Sequence, residues 1–232
     1  MEELLNELVK RLQEAYGDDL ASVILYGSGA ARDHHSKYSD LNVICTLRHV
    51  GLAELRKGEK AVQWWMKQKQ PAPLFVSLND ICCRDDVFPI EFLDIQQSRR
   101  VLYGEDLFAS IEVDKTNHRR QVEHELSSNL LRLRQRYLVL HPNEKDVVRL
   151  MVQAIASFAT LARHALILAG ATAPVRKREI FAAAAACFGL DAAPFETVLQ
   201  IREGTLKAPD AHALFASYLA QITKLEEVVD KL

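Results

Sequence analysis

The spacing of apolar residues predicts alternating helices and short strands in the first half of the chain. Leucines at positions 4, 5, 8 and 12 recur at helical intervals, and Gly17 follows them as a residue that ends helices. Four short apolar runs are predicted strands, at 22–26, 41–47, 74–77 and 87–95. A helix over 52–69 separates the second run from the third, and the proline at 71 ends it.

The pattern changes after about residue 111, where every remaining segment has helical spacing. Apolar residues on one long helix are spaced by three and four positions, which is typical of an amphipathic helix. They are Val122, Leu126, Leu130, Leu133, Tyr137 and Leu140. Four more helices are predicted near 151–169, 176–188, 194–203 and 210–231. The sequence therefore predicts an α/β (α+β) domain over 1–111 and an antiparallel helical bundle over 112–232.

Composition excludes several classes of protein. The 232 residues are 49% hydrophobic and 26% charged, which excludes a disordered chain, and the net charge of −2 argues against a nucleic-acid partner. The longest apolar stretch, 151–171, contains Arg163 and His164, which argues against a membrane span. The acidic N-terminus differs from a signal peptide, so we expect a cytoplasmic protein. The four cysteines form no CxxC pair, which argues against a zinc ribbon.

The segment 25–45 carries the chemistry. A predicted strand runs into a tight turn at Gly27-Ser28-Gly29, and such a turn brings backbone amides close to an anion. Twelve residues after Ser28, Asp40 stands at the start of the second strand, and Asn42 lies on the same strand face. Oxygen ligands on one face can hold a divalent metal ion against a triphosphate.

This segment resembles the DNA polymerase beta-like nucleotidyltransferase superfamily, whose signature is a Gly-Ser turn followed by Asp-x-Asp on the next strand. Here the signature appears as Gly27-Ser28 and Ser39-Asp40-Leu41-Asn42. The resemblance covers about the first 110 residues, and the helical bundle is similar to that of antibiotic nucleotidyltransferases. It implies a mixed sheet with flanking helices, and it implies roles for seven residues. These are catalysis by Asp40 and Glu91, nucleotide binding by Gly27, Ser28, Gly29 and Ser39, and metal binding by Asp40, Asn42 and Glu91.

The second acid of the signature is replaced by Asn42. An amide oxygen can ligate Mg²⁺ but carries no charge, so we expect weaker metal binding than three carboxylates would give. Glu91, placed by the resemblance on the predicted strand 87–95, would supply the third carboxylate. Glu91 could instead be a surface carboxylate at the strand edge, and Asp94 on the opposite strand face would then substitute for it.

Two functions remain open. The first is transfer of a nucleoside monophosphate from an NTP, with ATP as the expected donor, to a small hydroxylated acceptor with Mg²⁺ as cofactor. The second is a catalytically degenerate nucleotidyltransferase fold that acts as a nucleotide- or partner-binding regulatory protein, and Asn42 favours it. Both functions allow a homodimer and involve no membrane. The acceptor is left open, because its pocket would be built from scattered residues of the bundle.

Overall fold

The computed structural model describes residues 1–30, 41–82, 88–207 and 210–232, apart from the side chains of Ser28 and Cys82. Two compact units make up the chain, Met1–Asp114 and Lys115–Leu232. The first unit is a mixed four-stranded sheet with flanking helices, and the second is a helical bundle. The fold class predicted from the sequence is confirmed.

The first unit contains five helices and four strands within the described residues. In chain order they are α1 Glu2–Tyr16, β1 Leu20–Tyr26, β2 Asn42–Leu47, α2 Leu52–Lys57, α3 Glu59–Lys67, β3 Leu74–Ser77, α4 Leu78–Cys82, α5 Pro89–Gln97 and β4 Arg99–Gly104. Short 3₁₀ turns occupy Gly17–Asp19 and Gly27–Gly29. The helix expected over 52–69 is divided at Gly58 into α2 and α3. The Tyr16 hydroxyl packs where a side chain at position 58 would stand.

The strands are arranged in the order β3-β2-β1-β4. β1 is antiparallel to both β2 and β4, whereas β2 and β3 are parallel. One sheet face packs against α1 and α3 through buried residues such as Leu8, Val23 and Trp65. The other, which we call the second face, packs against α4 and α5 through Ile24 and Phe92 among others. The sheet is thus covered by helices on both faces.

The strand predicted at 87–95 is wrong. Pro89 occupies the first turn of α5, where its missing N–H costs nothing, and Glu91 lies in the same first turn, where the helix dipole favours an acid. These local signals outweigh the apolar content that suggested a strand. The fourth strand is Arg99–Gly104, which follows that helix directly and pairs with β1.

The described part of the second unit, 115–207 and 210–232, contains five helices: α6 Lys115–Leu140, α7 Glu144–Leu168, α8 Lys177–Phe188, α9 Ala193–Arg202 and α10 Ala211–Val229. Asn143 caps the N-terminus of α7 and Asp210 caps that of α10 through their side chains. α7 packs against all four of the other helices. It is long and apolar enough to cross a membrane, but 56% of its most apolar window is buried inside the structure, as in the core helix of a bundle.

Candidate functional site

The turn after β1 is built around Gly27. This residue has a φ of 72°, a left-handed conformation that favours glycine. Asn42 pairs with Tyr26 across the two strands, and its Nδ2 lies 3.5 Å from the position that a Cβ on Gly27 would occupy. The structure therefore brings two sequence-predicted site residues together, the turn glycine and the amide that replaces the second acid.

Ser98 fixes this turn from the opposite side. The Gly27 N–H donates to the Ser98 carbonyl at 2.9 Å, and the Ser98 hydroxyl donates to the Gly27 carbonyl at 3.0 Å. The Gly27 amide is consequently engaged within the protein, which corrects the expectation that it contacts phosphate. Gly27 shapes the turn, and the amides of Ser28 and Gly29 are the remaining candidates for an anion. Sequence analysis missed Ser98 because it lies 71 residues away.

Two carboxylates of α5 lie near the end of β1. Glu91 is exposed and Asp94 is half-buried, and three residues apart on a helix they share one face. Burial raises the pKa of the Tyr26 phenol, and the negative charges of Glu91 and Asp94 raise it further. The expectation that Asp94 points away from Glu91 is therefore wrong, because it assumed a strand.

The described side chains near the turn offer oxygen atoms, the kind of ligand that Mg²⁺ prefers. They are the Asn42 amide and the carboxylates of Glu91 and Asp94, so their chemistry fits this ion. Within the part of the chain that the structure describes, no three His, Cys, Asp or Glu side chains group closely enough to form a metal site. Asp40 and Ser39, both predicted site residues, lie outside the described residues, as does the side chain of Ser28.

The second unit contains a basic hollow of about 720 Å³ between the start of α8 and the end of α9. Arg178 in its wall pairs with Glu196 and Glu203 at 2.9 and 2.8 Å. The surroundings of Lys177 disfavour its charged form. Partial burial lowers the pKa of its ammonium group, and the positive charge of Arg202 lowers this pKa further. Two like charges facing one hollow can accept an anion. Sequence analysis missed this feature because the two cations lie on different helices.

Known proteins resemble this chain in fold. No family model matches it, and no curated protein matches its sequence. Among solved structures, spectinomycin adenyltransferase AAD(9) from Enterococcus faecialis, crystallised with ATP and spectinomycin, superposes with a TM-score of 0.63. The match covers 98% of each chain at 13% sequence identity. The chain therefore has a nucleotidyltransferase-like fold.

Proposed function

We propose that this protein transfers a nucleoside monophosphate from an NTP, with ATP as donor, to a small hydroxylated acceptor. The observation that carries the proposal is the full-length similarity to an adenyltransferase that was crystallised with ATP and spectinomycin. The similarity includes the helical bundle as well as the sheet, since it spans 98% of both chains. The position of Asn42 beside the Gly27 turn adds local support.

In the proposed reaction the acceptor oxygen attacks the α-phosphorus of the NTP, and the bond from that phosphorus to the pyrophosphate breaks. The backbone amides of Ser28 and Gly29, with Ser39, would bind phosphate oxygens. Asp40, Asn42 and Glu91 would hold Mg²⁺, which neutralises charge on the triphosphate when bound. Glu91 would accept the proton of the acceptor hydroxyl, because its exposed carboxylate can reach a small molecule.

The direct test is Mg²⁺-dependent release of pyrophosphate from ATP in the presence of hydroxylated acceptors, beginning with spectinomycin and related aminocyclitols. We expect release with at least one acceptor, and a loss of about 100-fold or more in Glu91→Gln, as for removal of a general base. Glu3→Gln is the matched control, since Glu3 is also an exposed acid in the first turn of a helix. Absence of release with every acceptor, although ATP binds, would refute nucleotidyl transfer.

A regulatory protein that binds nucleotide without turnover is the second candidate, and the neutral Asn42 favours it. A half-buried amide beside the turn supplies a ligand oxygen but no charge. This function predicts that ATP raises the melting temperature while no acceptor produces pyrophosphate. The same titration and release assays therefore separate the two candidates.

A further inference from the structure

An apolar hollow opens on the second sheet face, next to the candidate site. It has a volume of about 260 Å³, and its lining includes Ile44 of β2, Val76 of β3, Ile81 of α4 and the rings of Phe88 and Phe92. The two rings lie 6.4 Å apart with an interplanar angle of 46°. Phe88 remains 41% exposed, so one aromatic side chain of this hollow is open to solvent.

Two of the elements that line the hollow, β2 and α5, also carry candidate site residues. Ile44 follows Asn42 by two positions on β2, which places the two side chains on the same sheet face. Phe88 immediately precedes α5 and Phe92 lies within it, so the two residues flank Glu91 in sequence. β2 and α5 thus carry two of the proposed metal ligands, Asn42 and Glu91, together with part of the lining of the hollow.

The lining favours a flat apolar group. Asp80 is the one charged residue in the described lining of the hollow. The Asp80 Oδ2 already accepts hydrogen bonds from the Ser77 N–H and hydroxyl at 2.9 and 2.7 Å. The volume lies just below the roughly 300–1,000 Å³ of pockets that enclose whole drug-sized ligands, so it suits one part of a larger molecule. A nucleobase is flat and forms one part of a larger molecule, the nucleotide. Every base also offers an aromatic face for stacking.

We propose that this hollow binds the base of the NTP, with Phe88 as the stacking residue. The proposal rests on the proposed function, since it assumes that a nucleotide occupies the adjoining site. Because no uncommitted polar side chain of the described lining faces a base edge, recognition is by stacking, and the protein accepts different bases. Purine triphosphates therefore bind more tightly than pyrimidine triphosphates, in keeping with their larger stacking area.

The test is calorimetric titration of the full-length protein and three variants with ATP, CTP and inorganic tripolyphosphate in the presence of Mg²⁺. Phe88→Ala is expected to weaken ATP binding about tenfold, the loss that removal of one stacking ring produces. Phe88→Trp keeps a ring and retains the affinity for ATP. Leu55→Ala is the matched control, because Leu55 is an apolar side chain of the same unit with 47% exposure. Tripolyphosphate, which has no base, binds equally to all four proteins.

The outcomes separate this inference from the proposed function. If the parent protein binds ATP and Phe88→Ala binds it equally well, the hollow is not the base site, while the proposed function stands. If the parent binds no NTP, the proposed function fails and the base site fails with it. Loss of tripolyphosphate binding in Phe88→Ala would also overturn the inference, since it would show a general disturbance of the site. Phe88→Leu, which keeps apolar volume without a ring, replaces Phe88→Ala if that variant unfolds, and the same tenfold loss is expected.

Discussion

Replacing Asn42 by aspartate tests the candidate site most directly. The change leaves the side-chain volume almost constant and adds one negative charge beside the Gly27 turn, on the side where Glu91 and Asp94 already raise the pKa of Tyr26. Without Mg²⁺ the added carboxylate is repelled by its neighbours, so Asn42→Asp should destabilise the protein. With Mg²⁺ it adds a charged ligand, so the same variant should bind the ion more tightly.

The sizes of both effects follow from Coulomb's law. Two unit charges 4 Å apart interact by about 1 kcal/mol in water and about 4 kcal/mol at an effective dielectric constant of 20. Asn42 is half-buried and Glu91 is exposed, which favours the lower value. A loss of about 1 kcal/mol corresponds to a melting temperature lowered by about 2–4 °C. For Mg²⁺ we expect at least a tenfold gain in affinity, or about 1.4 kcal/mol.

The pH dependence has a definite sign. Neighbouring negative charges raise the pKa of the introduced carboxyl above its unfolded value of about 3.9. Its destabilising effect is therefore present at neutral pH, where the group is charged, and disappears as the pH falls below about 4. The assay is the melting temperature with and without Mg²⁺, together with pyrophosphate release. Asn6→Asp, on the exposed side of α1, is the charge-matched control. If both variants respond to Mg²⁺ as the parent does, Asn42 belongs to no metal site.

Three further changes test separate parts of the structure. Gly27→Ala should lower the free energy of unfolding by about 1–2 kcal/mol, because the φ of 72° at this position is unfavourable for alanine. Chemical denaturation measures this change, and an unchanged free energy of unfolding would contradict the argument. Glu91→Gln should shift the pKa of Tyr26 down toward its ordinary value. An ultraviolet titration with Tyr26→Phe as the reference measures this pKa, and no shift would show that the Glu91 carboxylate does not lie near Tyr26. Lys177→Gln should raise stability by a few tenths of a kcal/mol at neutral pH, because it removes a partly buried charge and its repulsion from Arg202. The gain should vanish above the unfolded lysine pKa of about 10.4. Phosphate should stabilise the parent more than this last variant, and an equal effect would argue against anion binding in the basic hollow.

Local sequence patterns predicted most of the architecture. Three of the four leucines of α1 and the first four residues of the stripe on α6 are buried as expected, and the other three residues are half-buried. β1, β2 and β3 coincide closely with three of the predicted strands. These elements could be predicted because each one buries a face that its own sequence defines. The helices of the bundle share this property.

The elements around the candidate site were less predictable. α5 contains enough apolar residues to suggest a strand, whereas β4 begins with Arg99 and Arg100 and buries no residue fully. β4 is a strand because its backbone pairs with β1, a contact about 75 residues away in the chain. The hydrogen bonds of Ser98 to Gly27 depend on the same pairing. Long-range pairing of this kind leaves no mark on local hydrophobic spacing.

The helical form of 89–97 also changes what Asn42 implies. On a strand, Glu91 and Asp94 would point to opposite faces, and the loss of an acid at position 42 would leave two carboxylates, including Asp40. On α5 both carboxylates face Tyr26, so Asp94 can supply the third negative charge. We therefore expect Asp94→Asn to weaken Mg²⁺-dependent ATP binding about as much as Glu91→Gln does.

A double-mutant cycle decides whether the charge at 94 replaces the missing charge at 42. If the two positions perform one role, Asn42→Asp should restore Mg²⁺-dependent ATP binding in the Asp94→Asn background, and the two changes will not be additive. Binding is measured by calorimetry at several Mg²⁺ concentrations, so the result does not depend on turnover. Additive effects would show that Asp94 acts independently of position 42. The neutral Asn42 would then remain an uncompensated loss, and that outcome would favour the regulatory function over nucleotidyl transfer.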